Sequence, residues 1–261
     1  MIKLFKPIWY SYIVFLCVWF VAYGVITLTT DIPMVVLVII FLLIHLVVNI
    51  LFTKISNKKH DRIIHTLMDE CDPVRYLNEY YPLLSQAGDN MIDFIMLNLS
   101  AGYIDAGDFN SARNVLNNVR FQKLSIPMLK CIFYSNFFCL NINTNRYNDA
   151  QACLDLLKRA IDDIPKNKIK DKNRVLTLYN SYVCYMNIQN NYFDGVEQQL
   201  LICLHSATAK SHMVSYSFLL GELYAKTGRI DEAKRMFEYV ISNGNTMYMV
   251  KEAQIKLNNL K

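Results

Sequence analysis

Two long apolar stretches near the amino terminus constrain the fold of this chain more than any other feature. Residues 8–28 and 33–53 are each about 21 residues long, enough at about 1.5 Å of rise per residue to cross a hydrocarbon core of roughly 30 Å. The sequence therefore predicts a transmembrane helical hairpin at residues 1–53. A cleaved signal peptide is the competing interpretation of the first stretch, but a second apolar stretch follows it after only a few residues.

The basic residues around the two stretches predict their orientation. They lie outside the hairpin loop: Lys3 and Lys6 come before the first stretch, and Lys54, Lys58 and Lys59 come after the second. Because cytoplasmic flanks carry the excess of Lys and Arg, both termini should face the cytoplasm. The predicted location is the cell (inner) membrane, multi-pass, with the lipid bilayer as a partner and Lys54, Lys58 and Lys59 at its surface.

Polar residues are rare inside the second stretch. His45 and Asn49 lie one helical turn apart there, and polar groups at that depth usually face another helix. We expect them to contact either the first span or a second copy of the chain.

Seven cysteines are spread through apolar patterns without a Cys-x-x-Cys pair. This distribution is typical of small buried hydrophobic residues in a reducing compartment, and not of disulfides or a zinc site. It agrees with a cytoplasmic location. Together with the helical pattern and the low glycine count it suits a bacterial inner-membrane protein, and a eukaryotic membrane is the alternative.

A weak internal repeat organises the rest of the chain. Segments 99–112 and 220–233 have a small residue, a Tyr, a Gly and an Ala at the same offsets: Ser100, Tyr103, Gly107 and Ala112, then Gly221, Tyr224, Gly228 and Ala233. The small residue permits close helix approach, the Gly ends the first helix, and the Ala lies where the second helix crosses it. With this pattern the chain resembles the tetratricopeptide repeat (TPR) family, whose helix pairs stack into a solenoid.

Two further copies are degenerate, at 145–150 and 190–195. Here Asn145 and Asn190 replace the turn Gly, which is reasonable because Asn is the next most tolerant of positive φ. The turn positions are roughly 40 residues apart, against a family period of about 34, so longer connections are needed. The longest predicted connection, 165–174, is rich in Lys and is either a hydrated loop or a contact with lipid headgroups.

The predicted architecture is all-α, with two transmembrane helices followed by a TPR-like α-solenoid of about four helix pairs. Its predicted parts are the hairpin at 1–53, a juxtamembrane linker and covering helix at 54–90, the repeats at 91–243 and a capping helix at 244–261. Asp72 and Pro73 begin the covering helix, which should run to about Leu84, because Asp caps helices and Pro is tolerated in their first turn.

The first helix of each pair should line the inner face of the solenoid. Alignment on the turns places these residues there: Leu97, Asn98 and Ala101; Ser135, Asn136 and Cys139; Asn180, Ser181 and Cys184; Phe218, Leu219 and Glu222. Asn side chains can both donate to and accept from a peptide backbone, so we predict a partner-binding groove at Asn98, Asn136, Asn180, Ser181 and Glu222. The alternative is that these Asn side chains are merely solvated. The groove is expected to be polar and nearly uncharged, without the basic residues of a carboxylate clamp.

These features predict a membrane-anchored cytoplasmic TPR-like scaffold or adaptor that binds a protein or peptide partner. The alternative is a self-associating structural membrane protein, a homo-oligomer without a dedicated peptide ligand. The usual combinations of acid, base and nucleophile are missing, so we expect no enzyme activity and no cofactor or metal. The net charge of +5 without a clustered basic face does not indicate nucleic acid binding.

Overall fold

The computed structural model describes residues 6–30 and 32–260, including the side chains of all of these except residues 6 and 7. Lys3, part of the charge argument above, lies outside the described residues. The structure is 83% helix, and no strand occurs in its described part. The predicted all-α fold is therefore confirmed.

Twelve α-helices make up the described part of the chain. They are α1 Lys6–Thr29, α2 Met34–Met68, α3 Pro73–Tyr80, α4 Asp89–Ala106, α5 Phe109–Asn117, α6 Pro127–Asn143, α7 Tyr147–Asp162, α8 Ile169–Gln189, α9 Val196–Ser206, α10 Lys210–Lys226, α11 Ile230–Asn243 and α12 Tyr248–Asn259. The chain divides into two compact units. The first is Met1–Ile63 with Pro82–Ile92, and the second is Ile64–Tyr81 with Asp93–Lys261.

In the first unit, α1 and α2 are long and apolar enough to cross a membrane, with mean hydropathies of 2.1 and 3.2 over an 18-residue apolar window of each. Most of their large apolar side chains are exposed. The helices contact each other through polar and aromatic groups: the Tyr12 hydroxyl donates to Asn49 Oδ1 at 2.9 Å, and the Trp19 and Phe41 rings stack at 6.1 Å. Asn49 Nδ2 also lies 2.9 Å from His45 Nε2. The polar pair of the second stretch therefore faces the first helix.

Helix α2 is longer than the apolar stretch from which it was predicted. It continues without a break past Thr53 to Met68, so the first part of the predicted 54–90 linker is helical. The physical reason is that residues 54–68 contain no Gly or Pro, so nothing interrupts the backbone hydrogen bonds where the sequence turns polar. Lys54, Lys58 and Lys59 are exposed on this helix.

In the second unit, the short covering helix α3 follows the end of α2. Asp72 caps it by accepting the amide proton of Arg75 at 3.1 Å, and Pro73 occupies its first turn, as predicted. The helix ends at Tyr80, and a 3₁₀ turn continues it to Leu83. Tyr76 is fully buried against Gly102 of α4, where a Cβ atom would lie 2.6 Å from its ring.

Successive helices of the second unit pack in pairs: α4 with α5, α6 with α7, α8 with α9 and α10 with α11, followed by α12 against α11. Ala112, Ala150 and Ala233, at the predicted crossing position of three pairs, are fully buried. In the third pair the corresponding Gly195 is not in the helix. It has a φ of 70° just before α9, and the following Val196 is buried instead.

The turns inside the four pairs have one hydrogen-bond pattern. After α4, Gly107 has a φ of 80°, and the amide of Asp108 donates to the Tyr103 carbonyl at 2.9 Å. This hydrogen bond closes a turn of six residues, from Tyr103 to Asp108. Equivalent bonds close the turns at Asn145 (φ 57°), Asn191 (φ 56°) and Gly228 (φ 78°). This is the Schellman ending of a helix, which satisfies carbonyls left unpaired at its last turn.

One turn residue was predicted wrongly. Asn190 has a φ of −84° and closes α8, while its neighbour Asn191 takes the left-handed conformation. Two consecutive Asn residues tolerate a positive φ equally well, so the sequence alone does not decide between them. Because α8 runs to Gln189 and Asn190 is its carboxyl-terminal cap, Asn191 takes the positive φ.

The basic connection at 165–174 is shorter than predicted. Lys166–Lys168 form a 3₁₀ turn and α8 begins at Ile169, so the rest of the run is helical. Lys172 lies 4.0 Å from Asp162 of α7, an interaction that supports this early start.

Candidate functional site

A cavity of about 500 Å³ lies within the second unit. Residues of α4, α6, α8 and α10, the first helix of each pair, line it. Met68 at the end of α2, Tyr147 at the start of α7 and residues of α12, including Tyr248, also line it. We call this cavity, with its lining, the groove.

The groove contains three of the five predicted partner-binding residues. Asn136, Ser181 and Glu222 line it, whereas Asn98 and Asn180 are not among its lining residues. The aligned neighbours divide in the same way. Ala101, Ser135, Cys139, Phe218 and Leu219 line the groove, the last two also as members of the apolar core, whereas Leu97 and Cys184 belong to the core alone.

The Asn side chains are mostly engaged in holding helices. Asn136 Nδ2 on α6 donates to the Leu97 carbonyl at 2.8 Å and to Ser100 Oγ at 2.9 Å, both on α4. Asn98 Nδ2 donates to the Phe94 carbonyl of its own helix at 2.8 Å. Asn136 therefore uses both of its amide N–H groups inside the protein and has its Oδ1 left to meet a ligand, while Asn98 uses one of its two N–H groups within α4.

The groove is more charged than predicted. Glu222 is only 5% exposed and forms an ion pair with Lys256 of α12, and Gln189 Nε2 donates to its other oxygen at 3.3 Å. Asp105 and Glu252 also line the groove. The prediction of a nearly uncharged groove is wrong because it considered only one turn of each helix and left out α12.

Asp105 is the most unusual of these groups. It lies on α4, half-buried, and makes no hydrogen bond or ion pair with any other described residue. Burial raises the pKa of its carboxyl group from 3.8 to about 7. Removing a carboxylate from water disfavours its charged form, and no cation here compensates for that loss.

Aromatic and thiol groups cover much of the remaining wall. Tyr147, Tyr182, Tyr185, Tyr216 and Tyr248 line the groove. The Cys139 thiol donates to the Tyr182 hydroxyl at 3.4 Å, and burial raises the pKa of this thiol to about 12. Cys139 therefore stays protonated at neutral pH and acts as a small apolar group, because the thiolate is the reactive form.

Asp105 and Asn143 were missed because they follow the predicted groove residues Ala101 and Cys139 by four positions. Residues four apart lie on the same helix face, so in these two helices the prediction stopped one turn before the carboxyl end. Gln189 was missed for a second reason as well: the turn lies at Asn191 and not at Asn190, so Tyr185 lines the groove in place of the predicted Cys184, and Gln189 follows Tyr185 by four.

Comparison of the chain with protein-family models, with curated proteins and with solved structures finds no match. The resemblance to tetratricopeptide repeats therefore stays a prediction.

Proposed function

We propose that this chain is a membrane-anchored cytoplasmic scaffold, in which a two-helix hairpin lies in the bilayer and a TPR-like solenoid binds a segment of a protein partner in its groove. The single observation that carries the proposal is the groove itself. It is lined at equivalent positions by α4, α6, α8 and α10, as expected when stacked helix pairs share one concave face.

Support for the anchor comes from the surface of α1 and α2. Leu28, Met34 and Val35 are 88%, 71% and 71% exposed, and such large apolar exposure along two helices is unfavourable in water. Lys54, Lys58 and Lys59 follow the apolar part of α2, on the flank that the positive-inside rule assigns to the cytoplasm.

Anchoring gives the groove a functional advantage. Confining the scaffold and a membrane-bound partner to one surface raises their effective concentration, so that a modest groove affinity is enough for association. A cavity of about 500 Å³ accommodates a few side chains of an extended segment.

Co-purification with a blocked groove tests this proposal. Ala101 is a half-buried lining residue, so Ala101→Trp should fill part of the groove, while Ala152→Trp on the exposed side of α7 adds the same ring elsewhere. Tagged wild-type chain and both variants are extracted in mild detergent, and bound proteins are quantified by mass spectrometry. We expect the Ala101→Trp chain to lose specific partners that the Ala152→Trp chain retains, and equal recovery from both would contradict groove binding.

A second candidate is self-association of the hairpin, with the helical array serving only to organise an assembly. The exposed apolar surface of α1 and α2 favours it, since a second copy could cover this surface as well as lipid. Crosslinking in membranes separates the candidates. A homo-oligomer retained by residues 1–60 alone, with no loss of partners from the Ala101→Trp chain, would favour assembly.

A further inference from the structure

The charges that line the groove do not cancel. Its carboxyl groups are Asp105, Glu222 and Glu252, and its lysine is Lys256. Lys256 is held by Glu222 in an ion pair, so it does not neutralise the other two. His212 also lines the groove, but burial and then Arg174 lower its pKa, which keeps its ring neutral at pH 7. The free groove is therefore negative.

The two remaining carboxyl groups differ in their surroundings. Glu252 accepts a hydrogen bond from the Tyr248 hydroxyl. Asp105 has no hydrogen-bond or ion-pair partner in the described part of the chain. A half-buried carboxyl group without a partner is unfavourable in the free protein, and a ligand that brings a cation would compensate for its burial.

The walls near Asp105 suit the stem and charge of a basic side chain. The Tyr248 ring lies against Gly107, two residues after Asp105, where a Cβ atom would be 2.6 Å from it. Cys139 interacts electrostatically with both Asp105 and Tyr185, and all three line the groove. Tyr147 and Tyr248 interact with Tyr185 in the same way. Aromatic faces attract ammonium and guanidinium groups, and their apolar edges pack against the methylene stem.

We propose that the partner segment inserts a lysine or arginine side chain into the groove and pairs it with Asp105. This inference rests on the proposed function, because it specifies the chemistry of the segment that the groove binds. The occupant is a peptide and not a free amine, for two reasons. The groove is longer than the site around Asp105, because α6, α8 and α10 line it as well as α4, and Asn136 Oδ1 can accept a hydrogen bond from a peptide amide.

Selection from a random library tests the inference without knowledge of the partner. The full chain in lipid nanodiscs is panned against linear octapeptides displayed on phage. We expect the selected peptides to be enriched in Lys or Arg at one position. A synthetic selected peptide should bind Asp105→Asn about tenfold more weakly than the wild-type chain, the effect of losing one charge-assisted hydrogen bond.

Matched controls separate pairing from general electrostatics. Asp194→Asn removes an exposed carboxylate outside the groove lining and should leave the affinity unchanged. Replacing the basic residue of the peptide by norleucine or citrulline should weaken binding to wild type but have little further effect on Asp105→Asn. Circular dichroism of each variant verifies that it is folded.

Each outcome distinguishes the two proposals. Selection of peptides without a basic preference, or equal binding by wild type and Asp105→Asn, would overturn the inference while groove binding stands. Displacement of the peptide by an equal concentration of spermidine would overturn the assignment to a peptide. Failure of the whole library to yield a binder would count against the proposed function itself.

Discussion

At the scale of a single residue, Asp105 affects the stability of the fold and is the centre of the proposed binding. Its carboxyl group is held by the fold where water solvates it poorly, and burial raises its pKa to about 7. The groups whose pKa it influences electrostatically are Cys71, Tyr76 and Cys139, and burial raises the pKa of each of these further above neutral. Asp105 should therefore be the group of this set that titrates near physiological pH.

The stability of the protein should depend on pH through Asp105. Between pH 4 and 7 the folded state holds a proton on this group that the unfolded state releases, so stability falls as pH rises through this range. Asp105→Asn should be more stable than wild type by about 2 kcal/mol at pH 8, a value reduced for the partial exposure of the group, and the gain should disappear below about pH 4. Thermal unfolding followed by circular dichroism at pH 4 and pH 8 measures both differences.

The control for this experiment is Asp194→Asn, an exposed position. Its stability should follow that of wild type at both pH values. A gain for Asp105→Asn that is the same at pH 4 and pH 8 would contradict the titration of this group.

The turn after α8 offers a second test at residue scale. Asn191 has a φ of 56° and Asn190 a φ of −84°, so only the first occupies the left-handed region. Asn191→Ala should lower the free energy of unfolding by about 1 kcal/mol, because Ala tolerates this region less well than Asn. Asn190→Ala should change it little. Equal effects in chemical denaturation would place the turn elsewhere.

The accuracy of the sequence argument at this scale depended on the range of the forces involved. Gly107, Asn145 and Gly228 were predicted correctly as turn residues, since positive φ is a local preference. Asp105 was missed because its chemistry arises from burial by other helices, which local pattern does not contain. The neighbouring Asn190 and Asn191 are equivalent locally, and only the length of α8 distinguishes them.

At the scale of elements, close helix approach depends on small residues. A Cβ atom on Gly221 of α10 would lie 2.7 Å from the ring of Phe237, which is fully buried on α11. Phe237 is enclosed by the core, so it has little freedom to move away. The two helices therefore need glycine at this position to keep their spacing.

Gly221→Ala should consequently destabilise the protein by about 1–3 kcal/mol, as expected for overpacking a filled core. Gly88→Ala is the matched control, because nothing lies within 4 Å of its Cβ position and its φ is not in the left-handed region. Thermal unfolding of both variants measures the difference. A Gly221→Ala protein as stable as Gly88→Ala would mean that the contact between α10 and α11 relaxes freely.

The helices themselves were largely predictable, and their ends less so. The apolar stretches, the cap at Asp72 and the turn residues predicted α1, α3 and the paired helices, since each signal is local. The extension of α2 to Met68 and the start of α8 at Ile169 were missed. In both places polar residues suggested a loop, although nothing in the backbone prevented a helix.

At the scale of the whole molecule, the account combines a membrane anchor with a negative groove. The proposed anchor rests on two helices that are long and apolar enough to cross a bilayer. The repeat predicted some of the lining positions, including Glu222, whereas the other charged residues of the groove, Asp105, Glu252 and Lys256, were found only in the structure. Under the proposed function, the groove selects the partner and the hairpin sets the location of the chain.

Protease accessibility of the second unit tests this account most directly. A bacterium expressing the chain with a carboxyl-terminal epitope tag is converted to spheroplasts and, separately, to inverted membrane vesicles, and protease is added to each. The account predicts that the tagged region beyond Lys54 survives in spheroplasts and is digested in inverted vesicles, and that alkaline carbonate does not extract the chain. Digestion of that region from outside the cell, or release of the chain by carbonate, would contradict a hairpin-anchored cytoplasmic groove.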